Sequence, residues 1–190
     1  MSRELEQNRA MSRSTRITPE LDALVHLFYA SLDELGQFEE VSSEGMEEPF
    51  QKLLDHDEHM TVTVEEHHQC AVDVVVLETR WTTSHYSRKI LLTRQTDQSV
   101  VQFGIVRLNL DFLGPDVRAE IESQQTPLGR ILIEHNVLRK VRLLSLWKVT
   151  PRQELAQLLG LNVGDTCYGR TALIYCNGVP AVELLEIVTP

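Results

Sequence analysis

The spacing of apolar residues along the chain changes from a helical period to a strand period near residue 61. Before that point, apolar residues recur at three- and four-residue intervals at Leu21, Leu24, Val25 and Phe28. This pattern predicts an amphipathic helix, and Thr18-Pro19 offers an N-cap followed by proline at the first helical position. The apolar cluster 50–54 predicts a second short helix, whereas the acidic stretch 34–48 predicts a loop or a weak helix.

Beyond residue 61, β-branched and alternating segments predict a series of strands. These segments are 61–64, 71–81, 87–93, 100–110, 142–149, 168–175 and 181–188. The polar run Gln95-Thr96-Asp97-Gln98 is short enough to join two of them as a hairpin, and Asn177-Gly178 favours a type I′ turn between the last two. Because hairpins connect antiparallel strands, we expect an antiparallel sheet.

Two further helices are predicted among these strands. Thr126-Pro127 offers a cap and a proline before a helix that runs to His135. Thr150-Pro151-Arg152-Gln153 resembles a capping box, and the leucines that follow it lead to a stop at Gly160. The sequence therefore predicts an α+β fold in which helices flank a single antiparallel sheet.

Length and hydropathy indicate one domain. The chain has 190 residues, which suits a single core, and the polar segment 1–17, with a second methionine at Met11, predicts a flexible tail before a domain at 18–190. No apolar run is long enough to span a bilayer, and the first residues lack the apolar centre of a signal peptide. We expect a cytoplasmic protein without a membrane partner, present as a monomer or a small homo-oligomer.

Charge and cysteine content exclude several kinds of site. A formal net charge of −10 argues against a nucleic-acid partner and requires that an anionic ligand be met by clustered arginines. The three cysteines have no CxxC spacing, and His67 and His68 would point to opposite faces of an extended segment, so we expect no metal site. No GxSxG elbow is present to support a hydrolase triad, and the glycines at 160, 164 and 169 lack the dinucleotide-binding spacing.

Five ionisable residues interrupt the predicted strands. They are Arg88, Arg107, Arg170, Glu183 and Glu186. Such residues face water if they simply follow the alternation of a strand, but they need partners if they face the core. The sequence alone leaves both interpretations open for each residue.

Several of these residues lie in segments that resemble bacterial chorismate pyruvate-lyase, in particular the 4-hydroxybenzoate synthases of this family. The segments are Ser87-Arg88-Lys89-Ile90-Leu91-Leu92, Thr126-Pro127-Leu128-Gly129-Arg130, Tyr168-Gly169-Arg170, and the last strand with Glu186 four residues before the final proline. The resemblance covers about residues 18–190 and rests on the order and spacing of short motifs.

The resemblance implies an enzyme that eliminates pyruvate from chorismate to leave 4-hydroxybenzoate, with no metal or cofactor. Arg88 would hold the ring carboxylate with its guanidinium fork, and Glu186 would hydrogen-bond the C4 oxygen and act as the acid. Leu128 and Gly129 would line and cover the pocket. Phe50 would be an apolar residue of the first flap, and Arg170 would contribute to substrate binding.

One position departs from the family pattern. The family has arginine after the glycine of the next strand, but here Gly104 is followed by Ile105. Side chains two apart share a strand face, so Arg107 could bind the enolpyruvyl carboxylate from a displaced position. Two alternatives stay open: a UTRA-like sensor domain that binds a small ligand without catalysis, and an enzyme that acts on another aromatic acid. The lack of a basic winged-helix segment before Leu21 favours the enzyme over the sensor.

Overall fold

A computed structural model describes residues 21–190. Its strands are β1 (Gly36–Val41), β2 (Val72–Trp81), β3 (Tyr86–Arg94), β4 (Val100–Leu108), β5 (Arg139–Pro151), β6 (Cys167–Cys176) and β7 (Val179–Val188). Its α-helices are α1 (Leu21–Val25), α2 (Leu32–Leu35), α3 (Phe50–Leu54), α4 (Met60–His68), α5 (Pro115–Ser123), α6 (Leu128–Glu134) and α7 (Gln153–Leu159).

The strands form one seven-stranded sheet in the order β1-β5-β6-β7-β4-β3-β2. Every pair of neighbours is antiparallel. The predicted fold class, α+β with a single antiparallel sheet flanked by helices, is confirmed. The turn between β6 and β7 also follows the prediction, since Asn177 and Gly178 both have positive φ, at 52° and 85°.

Side chains that alternate along the central strands bury two separate faces of the sheet. Phe103, Ile105, Leu185 and Ile187 pack on one face against α1 and α7. The other face is covered by segments that include α3, α4 and α6, with Met60, Val64, Leu128 and Ile131 in its apolar clusters. The site described below lies on this second face.

Three local predictions are wrong, and contacts with distant parts of the chain explain the first two. Residues 61–64 belong to α4, because Met60 and Val64, four apart, share the buried side of one helix. The acidic stretch contains the edge strand β1, whose backbone pairs with β5. At the starts of α6 and α7 the N-cap residues are Pro127 and Arg152, and neither helix has a side-chain cap.

Within residues 21–190 no helix is long and apolar enough to cross a membrane. In the same range no group of three or more His, Cys, Asp or Glu residues is arranged to hold a metal ion. The predicted tail at residues 1–17 and the helix start at Thr18-Pro19 lie outside the described residues.

Candidate functional site

A pocket lies between the second face of the sheet and the segments 58–61 and 127–129. Strands β3, β4, β6 and β7 supply its floor. The register sets Ile90, Gly104, Glu186 and Arg170 side by side across four strands. Arg88 lies two residues from Ile90 along β3, and its side chain is therefore on the same face of the sheet.

Arg88 is a buried cation for which residues 21–190 provide no partner at two of its three guanidinium nitrogens. Its side chain lines the pocket, only 1% of the residue is exposed, and Nε and Nη1 have no hydrogen-bond partner in the described part of the chain. Burial lowers the pKa of the Arg88 guanidinium from its ordinary value. Because buried polar groups are almost always hydrogen-bonded, an unpaired guanidinium that lines a pocket marks a place for an anion.

Arg170 is buried as deeply but has many partners. Its Nε donates to Oε2 of Glu186 at 2.8 Å. The Nη atoms donate to the backbone oxygens of Leu54, His56 and Glu58 at 3.4, 2.8 and 3.0 Å. Arg170 therefore fixes the chain between α3 and α4 to the sheet, and its charge is balanced by Glu186.

Two histidines of this fixed segment are held in the neutral form. Burial and the nearby Arg170 lower the pKa of His56, whose Nδ1 accepts from the Glu58 amide at 3.1 Å. Burial and the Arg139 guanidinium lower the pKa of His59 to about 4, and Arg139 Nε donates to His59 Nε2 at 2.8 Å. Neither ring therefore adds positive charge to the pocket wall at neutral pH.

The cover of the pocket consists of the first turn of α6 packed on the start of α4. Leu128 and Gly129 line the pocket from above, beside His59 and Thr61. A Cβ added to Gly129 would lie 2.8 Å from Thr61 Oγ1 and 3.3 Å from the Cβ of His59. Only glycine allows these two helices to approach so closely.

The remaining wall is mostly apolar. It is formed by Val74, Ile90, Leu92, Val106, Ile174 and Leu184. Gln102 adds a polar side chain to this wall. The residue is 3% exposed, and its Oε1 has no hydrogen-bond partner among the described residues. Glu58 also lines the pocket but is exposed to solvent. Among the buried residues of this lining, Arg88 is a charged group for which no ion-pair partner is found in residues 21–190.

Two residues expected at the site lie elsewhere. Arg107 is on the opposite face of β4 from Val106, where it forms an ion pair with Glu183, its direct cross-strand neighbour. Residues 105 and 107 do share a face, but that face is covered by α1 and α7. Phe50 does not line the pocket; it packs on Tyr168 at a ring-centroid distance of 4.8 Å.

Gln102 and the segment 58–61 also line the pocket and were not predicted from the sequence. Gln102 interrupts the apolar pattern of β4 two residues before Gly104. A search of the strands for neutral polar residues as well as ionisable ones would have identified it as a candidate site residue. Residues 58–61 carry no comparable sequence signal, because their place depends on the hydrogen bonds that Arg170 makes to the neighbouring backbone.

Comparisons with known proteins find similarity only at the level of structure. No protein-family model and no curated protein sequence matches the chain. The effector domain of PhnF from Mycobacterium smegmatis matches with a TM-score of 0.50 at 12% identity, over 69% of this chain and 88% of that domain. This likeness shows a shared fold.

Two other solved structures match less well. The ligand-binding domain of a protein assigned to the GntR-family transcriptional regulators of Bordetella bronchiseptica has a TM-score of 0.46 at 15% identity, over 62% of this chain and 85% of that chain. A possible transcriptional regulator, YydK from Bacillus subtilis, has a TM-score of 0.45 at 13% identity, over 62% of this chain. The match spans only 58% of the YydK chain.

These findings correct the expectation of an enzyme. The structure with which the chain shares its fold is the effector domain of PhnF, and it is not a chorismate pyruvate-lyase. The geometry also removes a premise of that expectation, because the arginine assigned to the second carboxylate of chorismate, Arg107, faces away from the pocket. What the comparisons establish for this chain is its fold, which it shares with the PhnF effector domain.

Proposed function

We propose that this domain is a binding module for a small monocarboxylate with a flat, apolar body, and that Arg88 binds the carboxylate. The observation that carries the proposal is the unpaired, buried Arg88 guanidinium in an enclosed apolar pocket. A guanidinium fork matches a carboxylate in a bidentate geometry, and the surrounding apolar side chains strengthen that interaction by excluding water.

The charge balance inside the pocket favours a monoanion over a dianion. Arg88 offers one uncompensated positive charge, whereas the charge of Arg170 is already balanced by Glu186 at 2.8 Å. A second carboxylate on the ligand would meet apolar residues or approach the Glu186 carboxylate, and either contact is unfavourable.

The arrangement of the floor favours a ligand with a polar group at its far end. Arg88 and Glu186 lie two strands and two residues apart, which corresponds to roughly 12 Å between their Cα atoms. Both residues line the pocket, so one ligand can contact both. The oxygens of Glu186 can accept a hydrogen bond from a hydroxyl or amino group on that ligand, and 4-hydroxybenzoate is a suitable probe.

The shared fold supports a binding role. The PhnF structure of the same fold is named an effector domain, and a mostly apolar lining with a few polar groups is typical of small-molecule sites. By this proposal the partner of the domain is a small organic acid, which it recognises without transforming it.

Isothermal titration calorimetry with 4-hydroxybenzoate tests the proposal on three proteins: wild type, Arg88→Met and Arg107→Met. Loss of a charge-assisted contact should weaken binding about tenfold or more in Arg88→Met. Arg107→Met removes the same charge from the same part of the sheet, but on the opposite face, and should bind within about twofold of wild type.

An Arg88→Lys variant separates geometry from charge. Lysine keeps the charge but lacks the planar fork, so we expect its affinity to fall between those of wild type and Arg88→Met. Equal affinity of wild type and Arg88→Met, or no binding of 4-hydroxybenzoate or benzoate to wild type, would contradict the proposal.

A further inference from the structure

Gln102 lies on the floor of the pocket beside the position that Glu186 faces. The β4–β7 register pairs Gly104 with Glu186, and Gln102 is two residues from Gly104 on the same face. The Gln102 side chain bends toward the glycine, since its Nε2 lies 3.6 Å from the place where a Cβ on Gly104 would lie. The Gln102 amide thus lies over Gly104, the residue that pairs with Glu186 across β4 and β7.

This amide has unused hydrogen-bonding capacity. Gln102 is 3% exposed, and its Oε1 has no partner among residues 21–190. A 180° flip of the Gln102 amide exchanges its oxygen and nitrogen. The side chain then still offers one hydrogen-bond acceptor and one donor group to the pocket. A buried amide oxygen without a hydrogen-bond partner lowers the stability of the folded protein. The same observation, a buried polar group without a partner, singled out Arg88.

Gln102 and Arg88 lie at opposite ends of the pocket floor. On β3, Arg88 is four residues from Leu92, the cross-strand partner of Gln102, which corresponds to roughly 14 Å along the strand. Glu186 lies in the row between them. A ligand whose carboxylate contacts Arg88 therefore meets Glu186 and then Gln102 at its far end.

We propose that Gln102 is a specificity-determining residue that selects carboxylates carrying two adjacent hydrogen-bond donors at the end far from the carboxylate. One donor faces Glu186 and its neighbour on the ring faces Gln102 Oε1. This inference rests on the proposed function, since it takes the carboxylate to be bound at Arg88. The chemical class is a ring carboxylate with vicinal hydroxyl or amino groups.

The experiment measures the affinities of benzoate, 4-hydroxybenzoate and 3,4-dihydroxybenzoate by calorimetry for wild type and Gln102→Met. Methionine is close to glutamine in shape but offers no amide. Wild type should bind the dihydroxy acid about threefold to tenfold more tightly than the monohydroxy acid, as expected for one added hydrogen bond. Gln102→Met should bind the two acids with equal affinity.

Each outcome bears on the proposal. A preference for the dihydroxy acid that persists in Gln102→Met, or that is absent from wild type, overturns the role of Gln102 and leaves the carboxylate site intact. Failure of all three acids to bind wild type overturns both proposals. If Gln102→Met does not fold, Gln102→Leu replaces it, and failure of both variants to fold shows that Gln102 is structural and overturns the inference.

Discussion

Two buried arginines on one face of the sheet differ in the partners that surround their guanidinium groups. Arg170 donates to Glu186 and to three backbone oxygens. Arg88 has no partner for Nε or Nη1 in the described residues. A buried charge with partners stabilises the structure around it, whereas one without partners costs stability until a ligand supplies them. The difference between these two residues separates the structural part of the pocket from its binding part.

This difference predicts opposite effects of the same substitution on the free energy of unfolding. Arg170→Met leaves the Glu186 carboxylate buried without its cation and should lower the free energy of unfolding by about 3 to 5 kcal/mol. Arg88→Met removes an unpaired buried charge and should raise it by about 1 kcal/mol or more in the absence of ligand. Urea unfolding of wild type and both variants measures these changes. A destabilisation of similar size in the two variants would show that Arg88 also has a structural role.

Sequence reasoning selected Arg88, Leu128, Gly129, Arg170 and Glu186, and all five line one pocket. It misplaced Arg107 because alternation fixes which residues share a strand face but not which face carries the pocket. It could not divide roles between Arg88 and Arg170, since that division depends on backbone oxygens contributed by the distant segment 54–58.

At the scale of elements, strands with strong β-branched patterns were predicted well and elements that depend on distant partners were not. Strands β2, β3 and β4 follow the predicted segments closely, as does the β6–β7 hairpin. Strand β1 carries an acidic sequence and exists through its pairing with β5. Helix α4 has several β-branched residues, yet it forms because its buried side packs into the core beside the pocket.

The close contact between α6 and α4 makes a prediction at this scale. In Gly129→Ala the new methyl group meets the stiff Thr61 side chain, so the two helices must separate and the cover must lift. We expect the free energy of unfolding to fall by about 1 to 3 kcal/mol and the affinity for 4-hydroxybenzoate to fall severalfold.

Gly114→Ala is the matched control, because Gly114 also lies at the start of a helix but a Cβ there meets nothing within 4 Å. Denaturant unfolding and calorimetry measure both variants. If Gly129→Ala keeps the stability and the affinity of Gly114→Ala, the close contact does not hold the cover in place.

At the scale of the whole molecule, the pocket is assembled from parts that are far apart in the sequence. Arg88 comes from β3, the cover from the starts of α4 and α6, and Arg170 and Glu186 from the last two strands. No single segment contains the pocket, which is formed only when the central strands and the helices of one face are assembled. The opposite face, with Arg107 and Glu183, contributes to the fold without contacting the pocket.

The most direct test of the central claim, that Arg88 holds the carboxylate of a small ligand, is a crystal structure of the domain with 4-hydroxybenzoate. We predict that both carboxylate oxygens lie about 2.8 Å from nitrogens of the Arg88 guanidinium, with the hydroxyl group directed toward Glu186. A ligand bound outside the pocket, or one that reverses so that its carboxylate lies beside Glu186 and Arg88 stays unpaired, would contradict the account.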